Sequence, residues 1–188
     1  MKIVLAITGA SGAIYAQRLV HALSETACAA EVIMSRYARE IAAEETGGLA
    51  FPPSWLIHDE HAMHAAFTSG SALYDAMVIV PCSMGTLGRI AHGCSDNAIS
   101  RTADVFLKEK RKLILVPRET PWNLIHARNA VAVIEAGATL LPAAPSFYGK
   151  PKTIEELADT VVARILDHLG IANSVSKRWP VHVRIIGE

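Results

Sequence analysis

The stretch Lys2-Ile3-Val4-Leu5-Ala6-Ile7-Thr8-Gly9-Ala10-Ser11-Gly12 decides the fold class. Its first part, residues 2–7, is an apolar run rich in β-branched side chains, which is typical of a strand buried on both faces of a parallel sheet. Residues 8–12 are small or polar and favour a tight turn. Apolar residues at helical spacing follow over Ala13–Ser24. A buried strand, a glycine turn and a helix in direct succession predict the first βα unit of an α/β fold.

The rest of the chain repeats this alternation. Further strands are predicted at Glu31–Met34, Ala76–Val80, Leu113–Val116 and Thr139–Leu141. One helix is predicted after Ser35 to about Glu45, one begins at about Met84, and another ends at about Lys110. Two more are predicted over Pro121–Glu135 and Ile154–Leu169. The segment 47–71 is irregular, and we expect mostly loop with one helix. We therefore predict a single α/β domain over residues 1–188, with a parallel sheet covered by helices on both faces. Residues 174–188 are expected to form a C-terminal extension that packs on a neighbouring subunit.

Composition narrows the functional classes. Of the 188 residues, 51% are hydrophobic and 19% are charged, which excludes a disordered chain. Lys plus Arg and Asp plus Glu each number 18, so there is no basic excess of the kind that nucleic-acid or anionic-membrane binders carry. The low charged fraction predicts that a further apolar surface is buried by homo-oligomerisation.

The cysteines and the N-terminus bear on the compartment. The three cysteines, Cys28, Cys82 and Cys94, form no C-x-x-C pair, so a disulfide framework or a cysteine zinc site is not expected. The apolar run at the N-terminus is too short for a signal peptide, and no run is long enough to span a membrane. These features indicate a cytoplasmic protein.

The loop Gly9-Ala10-Ser11-Gly12 is suited to a phosphate, because a glycine turn before a helix brings backbone N–H groups and the helix dipole to one point. It is not the dinucleotide fingerprint G-x-G-x-x-G, since Ser11 replaces the second glycine. Ser35 also stands where an acidic residue would hold an adenosine ribose. The pattern favours a phosphate or a flavin ribityl chain, although a tight turn without any ligand gives the same sequence.

Several motifs together resemble the UbiX-type flavin prenyltransferases, over nearly the whole chain. The matching runs are Thr8–Ala13, Ser69-Gly70-Ser71, Pro81–Leu87, Arg101–Val105, Leu107-Lys108-Glu109, Val116–Pro121, Pro145-Ser146-Phe147-Tyr148 and Val162–Leu166. The resemblance implies a flavodoxin-like Rossmann three-layer sandwich that binds FMN, and a dodecamer with active sites where subunits meet. It implies transfer of a dimethylallyl group from dimethylallyl phosphate to N5 and C6 of reduced FMN. The prenylated FMN then serves a UbiD-type decarboxylase.

The resemblance also implies roles for individual residues. FMN is expected on Gly9, Ala10, Ser11, Ser35, Ser83, Met84, Gly85, Thr86, Arg101 and Arg118. The prenyl phosphate is expected on Ser69, Lys108, Tyr148 and Arg164, and the catalytic groups are expected to be Ser11, Glu45, Lys108 and Glu119.

These residues are suited to binding a phosphate leaving group, because Arg, Lys and Tyr side chains donate strong hydrogen bonds to phosphate oxygens, and those of Arg and Lys are charge-assisted. The chain has no Asp-Asp-x-x-Asp motif for magnesium, so we expect metal-independent transfer. A carboxylate, Glu45 or Glu119, is the expected base for the proton that leaves the flavin ring, and Ser11 could relay protons.

Alternative readings stay open. Each of the basic and acidic candidates could instead be a solvated or packed side chain. His58, His61 and His64 share a spacing of three, but a solvated surface is favoured over a zinc site. The rival functions are an FMN-dependent cysteine decarboxylase and a non-catalytic flavin-binding accessory subunit of a decarboxylase.

Overall fold

The structure, a computed structural model, describes residues 1–179 and confirms the α/β class. The strands are β1 (Lys2–Ile7), β2 (Ala29–Met34), β3 (Leu56–Asp59), β4 (Ala76–Cys82), β5 (Lys112–Pro117) and β6 (Thr139–Leu140). The α-helices are α1 (Ala13–Ser24), α2 (Arg36–Thr46), α3 (Met84–Ala91), α4 (Ala98–Lys108), α5 (Leu124–Glu135) and α6 (Ile154–Leu169), and a short 3₁₀ helix spans Ala66–Thr68. Most of the predicted C-terminal extension, residues 180–188, lies outside the described residues.

The strands form one parallel sheet in the order β3-β2-β1-β4-β5-β6. Without β3, the five predicted strands are arranged in the flavodoxin-like order. β3 was not predicted, and it adds an edge strand to β2. The chain direction across the sheet reverses between β1 and β4, and ligands of open α/β sheets bind at the carboxyl ends of the strands beside such a point.

Alternating side chains of each strand enter two separate cores. On one face, Ile3, Leu5 and Ile7 of β1 pack with α1 and α6. On the other face, Val4 and Ala6 pack with α3, α4 and α5. The protein is therefore the expected three-layer sandwich, with buried strands between two helical layers.

Local sequence signals set most helix ends. Ser35, Ser83 and Thr153 cap α2, α3 and α6 with their hydroxyl oxygens, and Gly170 ends α6 in the left-handed conformation. Several predicted element ends were wrong by one to three residues. α5 begins at Leu124 instead of Pro121 because the Asn123 side chain accepts a hydrogen bond from the backbone of His126 and caps the helix there.

Among residues 1–179, no helix combines the length and the apolar character that crossing a bilayer requires.

Candidate functional site

Three of the predicted residues meet in one cleft at the carboxyl edge of the sheet. The cleft has a volume of about 640 Å³. Its lining includes Ser11 from the loop after β1, Glu45 from α2 and Arg118 from the loop after β5. Residues that are more than thirty positions apart in the chain thus meet because the loops after β1 and β5 leave the same edge of the sheet and α2 packs beside α1.

The Glu45 carboxylate occupies the N-terminus of α1. Its Oε2 atom accepts hydrogen bonds from the backbone N–H groups of Gly12 and Ala13, both at 2.8 Å. The sequence predicted a phosphate or a flavin ribityl chain at this loop, and in the structure a side-chain carboxylate of the protein itself accepts these two N–H groups. The loop therefore does present N–H groups in the geometry that stabilises negative charge.

These contacts keep Glu45 ionised. Burial by itself would raise the pKa of Glu45, but hydrogen bonds from Ser11, Gly12 and Ala13 and the positive charge of Arg118 outweigh burial, so the pKa lies below its ordinary value. An ionised carboxylate next to the Ser11 hydroxyl is a group that can accept a proton at neutral pH.

Arg118 is anchored to the first loop. Its Nε atom donates a hydrogen bond of 2.8 Å to the backbone oxygen of Ser11. The guanidinium of Arg118 has further N–H groups, and these could bind an anion in the cleft.

Gly9 and Gly12 are required by the shape of the loop. A Cβ atom at residue 9 would lie 2.6 Å from Cβ of Tyr37. Gly12 has a φ of 109°, and a Cβ atom there would lie 2.9 Å from the ring of Tyr15. The glycines therefore allow the loop to lie directly against two aromatic side chains.

The loop after β4 lies beside the loop after β1. Ser83 caps α3: its Oγ accepts a hydrogen bond of 3.2 Å from the Thr86 backbone and lies 3.0 Å from Thr86 Oγ1. Gly85 is exposed, whereas Met84 is buried in the second core. The predicted second cofactor loop, 83–86, thus lies at the switch point next to the first.

A second group of predicted residues lies on α4 and the segment before β4. Arg101 donates a hydrogen bond of 3.2 Å to the backbone oxygen of Thr68 and pairs with Asp104 at 3.1 Å. Lys108 pairs with Glu109, and its Nζ would lie 2.7 Å from a Cβ atom at Gly70, in the Ser69-Gly70-Ser71 run. Arg101, Lys108 and Ser69 are therefore neighbours, but none of them lines the cleft of Ser11 and Glu45.

The last two candidates form a third group near the end of the described chain. Arg164 is exposed and pairs with Asp167 at 2.9 Å. Asp167 also pairs with Arg178, at 2.7 Å. The Tyr148 ring packs edge-on against Trp179. Neither Tyr148 nor Arg164 lines the cleft of Arg118.

Glu119 follows Arg118 but is turned towards its own chain. One of its carboxylate oxygens accepts a hydrogen bond of 2.9 Å from the backbone of Thr120. Its side chain is exposed, and it does not line the cleft. Of the two predicted carboxylates, Glu45 is the one that faces the cleft.

The sequence analysis missed several residues of the cleft. Tyr15, Gln17 and Glu155 line it, and Tyr37 supports the loop at Gly9. Tyr15 lies in the first helical turn after Gly12, a position from which a side chain covers the loop before the helix. That spacing could have identified Tyr15. The approach of Glu155 depends on how α6 packs beside α1, which the sequence does not reveal.

Of the three histidines in the segment, His61 and His64 are exposed as expected, whereas His58 is packed. His58 lies in β3, where its Nε2 atom is 3.0 Å from the Glu31 carboxylate and its ring packs edge-on against buried Phe67. The expectation of a solvated surface was therefore wrong for His58, because β3 brings it against β2. Within residues 1–179, no three His, Cys, Asp or Glu side chains are grouped closely enough to hold a metal ion.

Known proteins share the sequence and the fold of this chain. The Flavoprotein family model matches residues 1–166. The flavin prenyltransferase UbiX of Methanocaldococcus jannaschii is 46% identical over 182 residues, which cover 95% of this chain and 98% of that protein. The flavin prenyltransferase UbiX of Pseudomonas aeruginosa is 41% identical and covers 95% of this chain and 93% of its own length.

A crystal structure of AnUbiX (PadA1) in complex with FMN and dimethylallyl pyrophosphate superposes with a TM-score of 0.89 at 39% identity, covering 95% of this chain and 97% of that one. The dodecameric FMN-dependent UbiX-like decarboxylase from Escherichia coli O157:H7 superposes with a TM-score of 0.90 at 35% identity, covering 96% and 100%. The FMN-dependent cysteine decarboxylase TvaF shares only the fold, at 16% identity and a TM-score of 0.61. The chain therefore belongs to the flavoprotein family and, within it, to the UbiX flavin prenyltransferases.

Proposed function

We propose that this protein transfers a dimethylallyl group from a prenyl phosphate to reduced FMN, bound at the carboxyl edge of β1 and β4. The observation that carries the proposal is the cleft in which Ser11, Glu45 and Arg118 meet around the glycine loop. Prenyl transfer requires a base and a cationic group that binds the phosphate, and Glu45 and Arg118 place both at one edge of the sheet. The curated relatives carry the same activity in their names.

The residues of the edge fit FMN. At Gly9 the missing side chain leaves room for Tyr37 of α2, which lies directly against the loop and fixes its position. The Ser35 and Ser83 hydroxyls and the exposed Gly85 follow strands β2 and β4, which flank β1. FMN would supply the nucleophilic ring atoms that accept the prenyl group, and these residues would hold and orient it.

The phosphate of the prenyl donor needs groups that stabilise negative charge as the allylic C–O bond breaks. We assign this role to Arg118, Lys108, Tyr148 and Arg164, because guanidinium, ammonium and phenol groups donate strong hydrogen bonds to phosphate oxygens. The side chains supply this charge without a metal ion, and the proposed reaction is metal-independent.

Glu45 is assigned as the group that accepts the proton released when the new ring closes. It is ionised, it lies beside the Ser11 hydroxyl, and the N-terminus of α1 fixes one of its oxygens. The second oxygen remains available for proton transfer. Ser11 is assigned to relay a proton between the acceptor ring and Glu45.

The complete site is assigned to an interface between copies of the chain. The basic candidates lie in three separate groups on one chain, in the cleft, on α4 and at the end of α6. An exposed apolar surface supports assembly: Leu124, Ile125, Val131 and Ile134 of α5 are all more than half exposed. We propose a homo-oligomer, with a dodecamer as the expected form.

The proposed destination of the product is a UbiD-type decarboxylase, and the proposed compartment is the cytoplasm. The three cysteines Cys28, Cys82 and Cys94 are free, which is the state that a reducing compartment maintains. Burial raises the pKa of the Cys82 thiol to about 12, so Cys82 is an inert core residue and not a nucleophile.

The decisive experiment incubates the pure protein with reduced FMN and dimethylallyl phosphate, with the diphosphate in parallel, and measures the flavin by mass spectrometry. A mass gain of one C5 unit is expected, and it should persist in EDTA. Bound FMN without the gain would overturn prenyl transfer and favour an accessory subunit. Loss of the gain on chelation, with rescue by magnesium, would overturn the metal-independent assignment.

A further inference from the structure

The Thr8 side chain joins the two loops that meet at the switch point. Thr8 follows the last residue of β1 and is 2% exposed. Its Oγ1 donates a hydrogen bond of 2.9 Å to the backbone oxygen of Pro81 and accepts one of 2.7 Å from the backbone N–H of Ser83. The Thr8 hydroxyl thus donates one hydrogen bond to residues 81–83 and accepts another from the same segment.

These hydrogen bonds begin where the sheet ends. The ladder between β1 and β4 pairs Ile3 with Ala76 and continues to Ala6 and Ile79. Beyond that pair, the Thr8 backbone N–H donates to the Pro81 oxygen at 3.2 Å. Thr8 therefore connects β1 and β4 where their strand pairing ends, just before both strands continue into their loops.

Both loops depend on this connection. On one side, the backbone oxygen of Thr8 accepts a hydrogen bond of 2.8 Å from Ala10, which fixes the turn of the first loop. On the other side, Ser83 is held by Thr8 Oγ1 and in turn caps α3 through its own Oγ and the Thr86 backbone. We infer that Thr8 is a positioning residue that sets the spacing between the two flavin-binding loops. This inference rests on the proposed function.

The inference predicts a specific loss. Thr8→Val keeps the shape of the side chain but leaves the partly buried Ser83 N–H without its Thr8 partner, so the second loop should shift. We expect the Kd for FMN to rise roughly tenfold. Thr8→Ser keeps the hydroxyl and should stay within about threefold of wild type.

Thr102→Val is the matched control. Thr102 is also buried, and its Oγ1 donates a hydrogen bond of 2.6 Å to the backbone oxygen of Ala98, within one helix and not between two loops. The same chemical change there should lower the thermal stability but leave the Kd for FMN within about twofold of wild type. A rise in Kd with Thr102→Val as large as that with Thr8→Val would mean that Thr8 has only a general structural role, and it would overturn the inference.

A double variant tests whether Thr8 acts through Ser83. Thr8→Val and Ser83→Ala should weaken FMN binding together by less than the product of their separate effects. If the two effects multiply, Thr8 does not act through Ser83 and the inference fails.

Amide hydrogen exchange on the wild-type protein gives a second test, which holds even if Thr8→Val does not fold. The Ser83 amide should exchange more slowly than the Gly85 amide, which lies in the first turn of α3 where the helix supplies no acceptor. Equal exchange would overturn the inference.

A wild-type protein that binds no FMN would overturn the proposed function, whereas normal binding by both wild type and Thr8→Val overturns the Thr8 assignment alone.

Discussion

Glu45 Oε2 lies 2.8 Å from the amide nitrogen of Gly12, so an acidic side chain of α2 occupies the N-terminus of α1. The partial positive charge at the N-terminus of a helix stabilises the ionised form of a carboxylate at this position.

The contact makes stability depend on pH. Burial opposes ionisation of Glu45, but the hydrogen bonds from Ser11, Gly12 and Ala13 lower its pKa below the ordinary value of 4.5. The ionised form therefore adds stability that is complete above about pH 4.5 and is lost as the pH falls through the lowered pKa. Glu45→Gln should lower the free energy of unfolding by roughly 0.5 kcal/mol at pH 7 and by less at pH 3. Urea unfolding at both pH values measures this, with the exposed neighbour Glu44→Gln as the control; an equal loss at both pH values contradicts it.

The same substitution should separate binding from chemistry. Glu45→Gln keeps an oxygen that can accept the N–H groups of α1, so FMN affinity should change little. Loss of the base should slow formation of the prenylated flavin by about 10²-fold or more. Single-turnover assays by mass spectrometry measure the rate, and Glu44→Gln should match wild type. Product formed by Glu45→Gln at the wild-type rate would refute the assignment of Glu45 as the base.

A partly buried ion pair should hold α1 and α6 together. Arg18 and Asp159 form two hydrogen bonds, at 2.7 and 2.8 Å, and Asp159 is 6% exposed. Asp159→Ala leaves a half-buried guanidinium unpaired, and we expect a loss of about 3 kcal/mol in the free energy of unfolding. Glu40→Ala breaks the exposed pair with Arg36 and should cost less than about 1 kcal/mol. Equal losses for the two variants in urea unfolding would show that burial does not strengthen the first pair.

The exposed apolar surface of α5 should be an assembly surface. Leu124→Glu combined with Ile125→Glu places two charges on this surface and should shift the sedimentation coefficient at micromolar concentration to that of a smaller species. Glu25→Lys changes charge on the opposite helical layer and should leave the assembly intact. A wild-type protein that sediments as a monomer would contradict the proposed oligomer.

The fold was largely predictable because local patterns coincide with tertiary structure. β1 and α1 have the predicted bounds, since a wholly apolar run and a glycine turn leave few alternatives. β3 escaped prediction for a physical reason. Leu56 and Ile57 are exposed, so β3 shows no buried alternation, and it is held by pairing with β2 and by the contact of His58 with Glu31. Such a strand is specified by its neighbours and not by its own sequence.

The carboxyl edge of the sheet could be predicted as the place of the candidate site, but the contacts within the site could not. The quoted motifs contain Ser11 and Arg118, the family resemblance added Glu45, and the fold brings these three together. The contact of Glu45 with α1 could not be read from the sequence, because it depends on how far α2 extends beyond the sheet. The hydrogen bonds of Thr8 were missed for a similar reason, since a single threonine after a strand gives no signal of its cross-strand partner.

The separation of the basic candidates has a genetic consequence. Arg118 lies in the cleft, while Arg164 pairs with Asp167 on α6. If each pocket takes its arginines from different copies, chains carrying Arg118→Ala and chains carrying Arg164→Ala are each inactive alone. Co-expressed, they should complement one another, because hybrid particles contain some pockets in which both arginines are intact. Recovered prenyl transfer in the mixture, and none when the two changes share one chain, is the expected pattern.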